Sequence, residues 1–130
     1  MIRIKRAYTP ASPDDGFRVL VDGLWPRGIT KESLKLGAWY KVVAPSKRLR
    51  EWFGHDPVRW DEFKRRYFAE LDSNPSGWGP LMEVAQSRTV TLLYGARDET
   101  KNNAAALKEY LDSKNSLITA GGSREWVEKA

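Results

Sequence analysis

The stretch Arg18-Val-Leu-Val-Asp-Gly-Leu-Trp-Pro-Arg-Gly28 decides the fold of this chain. It opens with the aliphatic run Val19 to Val21, which is typical of a strand covered on both faces. Asp22 and Gly23 end this run, and a loop with an aromatic residue, a proline and an arginine follows. Open α/β sheets bind their ligands at the carboxyl ends of their strands. The residues after Val21 are therefore the first candidates for a functional site.

Two further segments have the pattern of strands. Near the start of the chain, Ile2 and Ile4 alternate with charged residues, as in a strand with one buried face. The segment from Thr89 to Tyr94 is rich in β-branched and aromatic residues and stops at Gly95. A helical region separates this segment from the strand that ends at Val21. A right-handed crossover through that region would bring the carboxyl ends of both strands to one edge of a parallel sheet.

The clearest helix begins at Asp56 and Pro57, an N-cap followed by proline at the first helical position. Its apolar residues recur at helical spacing and indicate core packing rather than ligand binding: Trp60, Phe63, Tyr67 and Leu71. The order of elements predicts an α/β fold with a small, mostly parallel sheet and helices packed on it, in a three-layer Rossmann-like sandwich.

Weaker signals predict four more helices. Thr30 is expected to cap a short helix, interrupted near Gly37, with buried contacts from Trp39, Tyr40 and Val43. Ser46 is expected to cap a helix from Lys47 to Phe53 that ends at Gly54. Pro80 is expected to start a third helix. Either Asp98 or Thr100 is expected to cap the last one.

The chain is expected to form one α/β domain over residues 1–111, followed by a tail over residues 112–130. In this tail, Leu117 to Thr119 could form a short edge strand or the tail could add a short helix, and Ser123 could cap a last helical turn that contains Trp126. Tail disorder and a strand exchanged with a partner subunit are both open.

Composition excludes several classes of site. The 130 residues include no cysteine and one histidine, which excludes disulfides, thiolate nucleophiles and multi-histidine metal sites. No apolar run is long enough for a membrane span, and the N-terminus lacks the apolar core of a signal peptide, so we expect a cytoplasmic protein without a membrane partner. The net charge of +5 favours anionic partners.

Several motifs resemble the short YeaO-like branch of domain-of-unknown-function family 488. They are Arg18-Val-Leu-Val-Asp22, Leu24-Trp-Pro-Arg-Gly28, Ala44-Pro-Ser46, Leu49-Arg-Glu-Trp-Phe-Gly-His-Asp-Pro57, Phe63-Lys-Arg-Arg-Tyr67 and Val90-Thr-Leu-Leu-Tyr94. The resemblance runs in order from about Ile2 to Leu111 and implies no activity, since the family is named for having no established function. The chain departs from the usual pattern at Gly23, where members usually have arginine, and at Lys101, where many have histidine.

Asp22 and Asp98 are the candidate acids, because each would follow a strand end on the same edge. Together they could hold Mg²⁺, or Asp22 could serve as a general base. The structural alternative is that Asp98 caps a helix and Asp22 pairs with an arginine such as Arg27. His55 could shuttle a proton or could simply pack in its turn. We name Asp22 and His55 as candidate catalytic residues and assign no metal.

The candidate ligand-binding residues are Trp25, Arg27, Arg97, Asp98 and Asn102. In this hypothesis the two arginines neutralise a small anionic ligand resembling a phosphate or nucleotide, Trp25 walls the pocket, and Asn102 orients the ligand. Solvated or structurally paired arginines are the alternative. Neither a Gly-x-Gly-x-x-Gly nor a P-loop motif is present, so the cofactor is unknown.

A different reading comes from the basic segment between Lys47 and Arg66. Its cations could make a nucleic-acid surface for a non-enzymatic module: Lys47, Arg48, Arg50, Lys64 and Arg65. Acidic residues are interleaved with them, which suits a solvated helix face equally well. Binding of a small anion, with or without its conversion, is the first hypothesis and nucleic-acid association the second. The oligomeric state, including a homodimer, is open.

Overall fold

The structure, a computed structural model, describes residues 1–121. Within these residues, four strands form one parallel sheet in the order β1-β4-β2-β3. The strands are β1 (Ile2–Arg6), β2 (Phe17–Leu20), β3 (Ala38–Trp39) and β4 (Val90–Tyr94). The expected α/β fold with a small parallel sheet is confirmed.

Strand β4 occupies the middle of the sheet and is buried along its whole length. It pairs with β1, with Ile2 opposite Val90, and with β2, with Phe17 opposite the same Val90. The two strands whose carboxyl ends were expected on one edge of a parallel sheet are therefore hydrogen-bonded neighbours. Because β2 and β4 are parallel, their carboxyl ends lie on one edge of the sheet.

Successive residues of the central strands enter two different cores. Val19 of β2 and Leu92 of β4 belong to the larger core, whereas Leu20 and Leu93 belong to a smaller core on the other face, where Leu34 also packs. Side chains of a strand alternate between the faces of its sheet, so a sheet with two apolar faces must be covered on both. This arrangement gives the predicted three layers.

Five helices lie around the sheet in the described residues. They are α1 (Lys31–Leu34), α2 (Lys47–Phe53), α3 (Trp60–Asp72), α4 (Pro75–Ser87) and α5 (Asn103–Gly121). The hydroxyl of Ser46 accepts from Leu49 N–H at 3.1 Å, and Gly54 ends α2 in a left-handed conformation. The sequence therefore predicted α2 and both of its ends. None of these helices combines the length and the apolar character that a membrane span requires.

The segment after α1 differs from its prediction. Trp39 lies in the short strand β3 rather than among helical contacts. Gly37 N–H donates to Arg18 O at 2.7 Å, and Tyr40 N–H donates to Leu20 O at 2.9 Å, which extends the sheet. A β-carbon on Gly37 would lie 2.3 Å from the ring of Phe17. Glycine thus permits a close approach here instead of interrupting a helix.

Two predictions about where helices begin at a proline were also partly wrong. Asp56 caps a 3-10 turn, Pro57–Arg59, that runs into α3. Pro75 is the first residue of α4, so Pro80 stands inside that helix rather than at its start. Pro80 is exposed, so the carbonyl that it leaves without a partner can reach water. Burial of apolar neighbours in the same helix offsets the cost: Trp78, Leu81 and Met82.

Of the two alternatives for the tail, the edge strand from Leu117 to Thr119 does not form, because these residues continue α5. The helix crosses the boundary drawn between residues 111 and 112. Helical hydrogen bonds that propagate from α5 outweigh the β-branched residues of this short segment. The predicted turn with Ser123 and Trp126 lies outside the described residues.

A buried ionic cluster joins β2 to the loop before it. Arg18 and Asp15 form an ion pair of 2.6 Å, with 6% and 7% of their side chains exposed, and Lys5 reaches the same carboxylate at 3.0 Å. Arg18 also donates twice to Leu34 O, at 3.0 and 2.8 Å. Burial by itself would raise the pKa of Asp15, but hydrogen bonds from Ser12 N–H and both cations hold it below its usual value.

We expect Asp15→Asn to lower the free energy of unfolding at pH 7 by about 3–5 kcal/mol, because it leaves Arg18 buried without its partner charge. Urea denaturation measures this loss. The exposed neighbour Asp14 provides the matched control, and Asp14→Asn should change stability by less than about 0.5 kcal/mol.

We also expect the difference in stability between wild type and Asp15→Asn to depend on pH. The pKa of Asp15 is lower in the folded protein than the ordinary 3.8, so its stabilising contribution is complete above that pH and is lost as the pH falls through the folded value. The stability gap between wild type and Asp15→Asn should therefore narrow on acidification. A gap that stays constant from pH 6 to pH 2 would contradict this account.

Candidate functional site

The carboxyl ends of β2 and β4 meet beside the Asp22 side chain. Leu20 lies opposite Leu93, and the N–H of Val21 donates to Leu93 O at 3.2 Å. The backbone N–H of Gly95 then donates to Asp22 Oδ2 at 2.8 Å. A side-chain hydrogen bond therefore joins the two strand ends at the edge where the sequence predicted a site.

The other carboxylate oxygen of Asp22, Oδ1, is buried and has no hydrogen-bond partner. Burial raises the pKa of Asp22, and the Gly95 N–H, the nearby Asn103 amide and the charges of Arg50 and His55 oppose that rise without cancelling it. Buried polar atoms in folded proteins are nearly always paired. A partly buried carboxylate with a raised pKa and an unpaired, buried oxygen is the kind of group that functional sites contain.

A cavity of about 290 Å³ opens at this carboxylate. Its polar lining consists of Asp22, Arg50, His55, Asn102 and Asn103, and its larger apolar side chains are Leu24, Phe53 and Phe63. The volume is at the lower end of the range for small-molecule pockets, which is roughly 300–1,000 Å³. The mixture of a few charged groups with apolar walls suits a small, charged ligand.

Arg50 reaches the cavity from the last turn of α2. Its Nε donates to Pro45 O at 3.3 Å, which holds the stem of the side chain. A β-carbon on Gly23 would lie 3.2 Å from both Cζ and Nη2 of Arg50. Among the described residues, the two terminal nitrogens of Arg50 have no hydrogen-bond or ion-pair partner. The missing side chain at position 23 therefore leaves room for a guanidinium that is free to bind.

His55 lines the same cavity through an unusual backbone conformation. Gly54 has φ +53°, and His55 follows with φ +58°, a region that residues with a side chain rarely adopt. The imidazole lies 6.2 Å from the ring of Phe53 between centroids. The loop after α2 thus folds back over the sheet edge, so the histidine and Asp22 share one cavity.

Two of the predicted ligand-binding residues, Asp98 and Asn102, have structural roles. Asp98 Oδ1 accepts hydrogen bonds at 3.0 Å from the N–H groups of Thr100 and Lys101, which lowers the pKa of Asp98. The expected cap of the last helix at Asp98 or Thr100 is wrong. Asn102 caps α5, because its Oδ1 accepts from Ala105 N–H at 2.8 Å, and its Nδ2 donates to Asp98 O at 2.9 Å. Asn102 therefore lines the cavity with its polar atoms already engaged.

Trp25, Arg27 and Arg97 lie outside the lining of this cavity. Trp25 donates to Ile29 O at 2.7 Å and packs at the smaller core. Arg27 and Arg97 are exposed. The loop after β2 lines the cavity only as far as Leu24, and the arginines that follow the strands in sequence lie outside it.

The basic segment is partly neutralised by its own acids. Three cations form ion pairs: Lys47 Nζ lies 3.9 Å from Glu51 Oε1, Lys64 Nζ lies 3.2 Å from Glu109 Oε1, and Arg65 Nη2 lies 2.6 Å from Glu62 Oε2. Arg48 is exposed on α2. Arg50, which the sequence grouped with this surface, contributes to the cavity instead.

Two features of the site were absent from the sequence prediction: the role of Arg50 at the cavity and the participation of Asn103. Asn103 donates to Val21 O at 3.1 Å and so ties the start of α5 to the end of β2. The glycine directly after Asp22 was the available signal, because it permits another group to approach closely. Which group approaches depends on the packing of α2. Among residues 1–121, no cluster of three or more acidic or histidine side chains could hold a metal ion.

Comparison with known proteins places the chain in a family. Residues 1–122 match a family model described as "Inactive DUF488-N3 subclade". The chain is 42% identical over 112 residues to the uncharacterized protein YeaO of Escherichia coli K12, which covers 86% of this chain and 97% of that protein. It is also 42% identical over 113 residues to uncharacterized proteins of Mycobacterium bovis and Mycobacterium tuberculosis, covering 87% of this chain and 95% of each. No solved structure matches the chain significantly.

We expect Asp22→Asn to raise the melting temperature at pH 7. The pKa of Asp22 is higher in the folded protein, so stability is greatest below the ordinary 3.8 and falls as the pH rises towards the folded value. Asparagine avoids this loss and can still accept from Gly95. The gain should shrink as the pH approaches 3.8.

Asp98→Asn provides a matched control on the same sheet edge. The pKa of Asp98 is lowered, so this variant should lower the melting temperature at pH 7, opposite to Asp22→Asn. Thermal melts followed by circular dichroism show whether each variant raises or lowers the melting temperature. A lower melting temperature for Asp22→Asn would mean that Oδ1 has a stabilising partner in the folded protein.

Proposed function

The chain belongs to the DUF488 family, and we propose that it binds a small anionic ligand in the cavity at the carboxyl ends of β2 and β4. The ligand carries a carboxylate or a phosphate that Arg50 recognises. The single observation that carries this proposal is the guanidinium of Arg50, whose terminal nitrogens lie at the cavity beside Gly23 without a partner among the described residues.

The chemistry of arginine supports an oxyanion as the group recognised. Its planar fork donates two parallel hydrogen bonds to a carboxylate or phosphate. The Nε bond to Pro45 O leaves the two terminal nitrogens for this purpose. The apolar side chains of Phe53 and Phe63 line the same cavity, and a less polar surrounding strengthens a charge-assisted hydrogen bond.

Binding without conversion is the form of the hypothesis that the observations favour. Asp22 and His55 line one cavity, yet no hydrogen bond joins them in the described part of the chain, so they do not form an aligned acid-base pair. The matching family model is described as inactive, which agrees with a binding role. Nucleic-acid association through the Lys47 to Arg66 surface stays a second prediction, and the acidic partners on that surface weaken it.

We expect Arg50→Gln to weaken binding of an oxyanion at least tenfold, because a charge-assisted hydrogen bond contributes about 1.5–3 kcal/mol. Isothermal titration calorimetry with propionate and with inorganic phosphate as separate probes measures this change. Arg48→Gln removes the same charge from the exposed face of the same helix and should leave affinity unchanged. Equal losses in the two variants would show that net charge, not the cavity, attracts the anion.

Gly23→Ala tests the close approach directly. The added methyl group would lie 3.2 Å from the guanidinium, which must then shift, while the backbone at position 23 needs no left-handed conformation. We expect a melting temperature close to that of wild type and an affinity for propionate reduced severalfold. Unchanged affinity would place the anion elsewhere.

A further inference from the structure

The oxyanion-binding arginine leaves the unpaired oxygen of Asp22 unexplained. Oδ1 is buried at the cavity, and Gly95 N–H occupies only Oδ2. The amide of Asn103 also lies beside this carboxylate, but its Nδ2 donates to Val21 O, so Oδ1 stays without a partner. Arg50 and His55 act on the carboxylate through their charges, but neither forms a hydrogen bond or an ion pair with it among the described residues. A ligand with only an anionic group would leave Oδ1 unpaired and would add a second negative charge nearby.

A cationic hydrogen-bond donor on the ligand would pair with Oδ1 and would also neutralise the negative charge of Asp22. Burying an unpaired carboxylate is unfavourable unless an opposite charge and a hydrogen bond accompany it. A neutral donor would satisfy the hydrogen bond alone, whereas an ammonium group supplies the hydrogen bond and the charge. The cavity therefore presents one fixed anion, Asp22, and one fixed cation, Arg50, which together complement a ligand with one charge of each sign.

We propose that the ligand is a small zwitterion whose ammonium group binds Asp22 Oδ1 and whose carboxylate or phosphate binds Arg50. This inference rests on the proposed function and narrows its ligand class. The carbon chain between the two charged groups lies against the apolar walls from Leu24, Phe53 and Phe63. The amide oxygen of Asn103 accepts no hydrogen bond within the described residues and offers the ammonium a second acceptor.

The test compares ligands that differ only in their amine. Glycine, β-alanine, 4-aminobutyrate and 5-aminopentanoate vary the distance between the charges, and acetate, propionate, butyrate and pentanoate are their counterparts without the amine. Phosphoethanolamine and ethyl phosphate form the phosphate pair, which decides between the two oxyanions. Calorimetric titration of the full chain at pH 7 should show at least one amine-bearing member binding tenfold or more tightly than its counterpart.

Asp22→Asn assigns that preference to its residue. The variant should bind the amine-bearing member and its counterpart with similar affinity, because the amide lacks the negative charge. Asp98→Asn, the same chemical change outside the cavity lining, should keep the full preference. Retention of the preference in Asp22→Asn would overturn the inference.

The remaining outcomes separate this inference from the proposed function. If the counterparts bind in an Arg50-dependent manner and the amines add nothing in any pair, the zwitterion is wrong and the anion site stands. If no member of either series binds wild type, or if binding is indifferent to Arg50→Gln, both proposals fail. Should Asp22→Asn not fold, the wild-type comparison of each amine with its counterpart still decides, because the absence of an amine preference in every pair overturns the inference.

Discussion

The hydrogen bond from Gly95 N–H to Asp22 Oδ2, 2.8 Å long, is the constraint on which the site depends. It fixes one oxygen of a carboxylate at the junction of two buried parallel strands and leaves the other oxygen without a partner. The sheet makes this possible because β4 lies between β1 and β2, in register with both. A carboxylate held in this way cannot rotate towards water without breaking the link between the strand ends.

The helical segment between β3 and β4 completes the site by covering that carboxylate. Ser46 caps α2, Gly54 ends it, and the left-handed conformation of His55 turns the chain back over the sheet edge. Backbone strain of this kind persists where the surrounding structure enforces it, and it is frequent at functional sites. Here the enforcing contacts include the stacking of Phe53 on Phe63, with ring centroids 4.3 Å apart.

The fold was largely predictable because its signals are local. The run from Val19 to Val21 and the buried segment ending at Tyr94 have an unmistakable strand composition, and α2 has a cap at each end. β3 escaped prediction because its two residues are set by pairing with β2, not by their own propensity. The prediction that Pro80 starts a helix was wrong for a similar reason. Burial of its neighbours in the core outweighs the local tendency of proline to break a helix.

The site was predictable in part. Asp22 follows from the strand-end rule, whereas the arginine beside it does not, because residues adjacent in sequence to the strand ends were the natural choice. Arg27 and Arg97 are exposed, and Arg50 arrives from a helix whose orientation only the packed core determines. Gly23 is the sequence feature that permits the guanidinium of Arg50 to come close. A glycine indicates only that space is needed, however, and not which group fills it.

The most direct test of the central claim is a two-dimensional NMR titration of the 15N-labelled protein with propionate. The account predicts that the largest shift changes occur at the Gly95 amide, which reports on the Asp22 carboxylate, and at Nε–H of Arg50. Changes concentrated at Arg27 and Arg97, or spread evenly over the exposed basic residues, would contradict it.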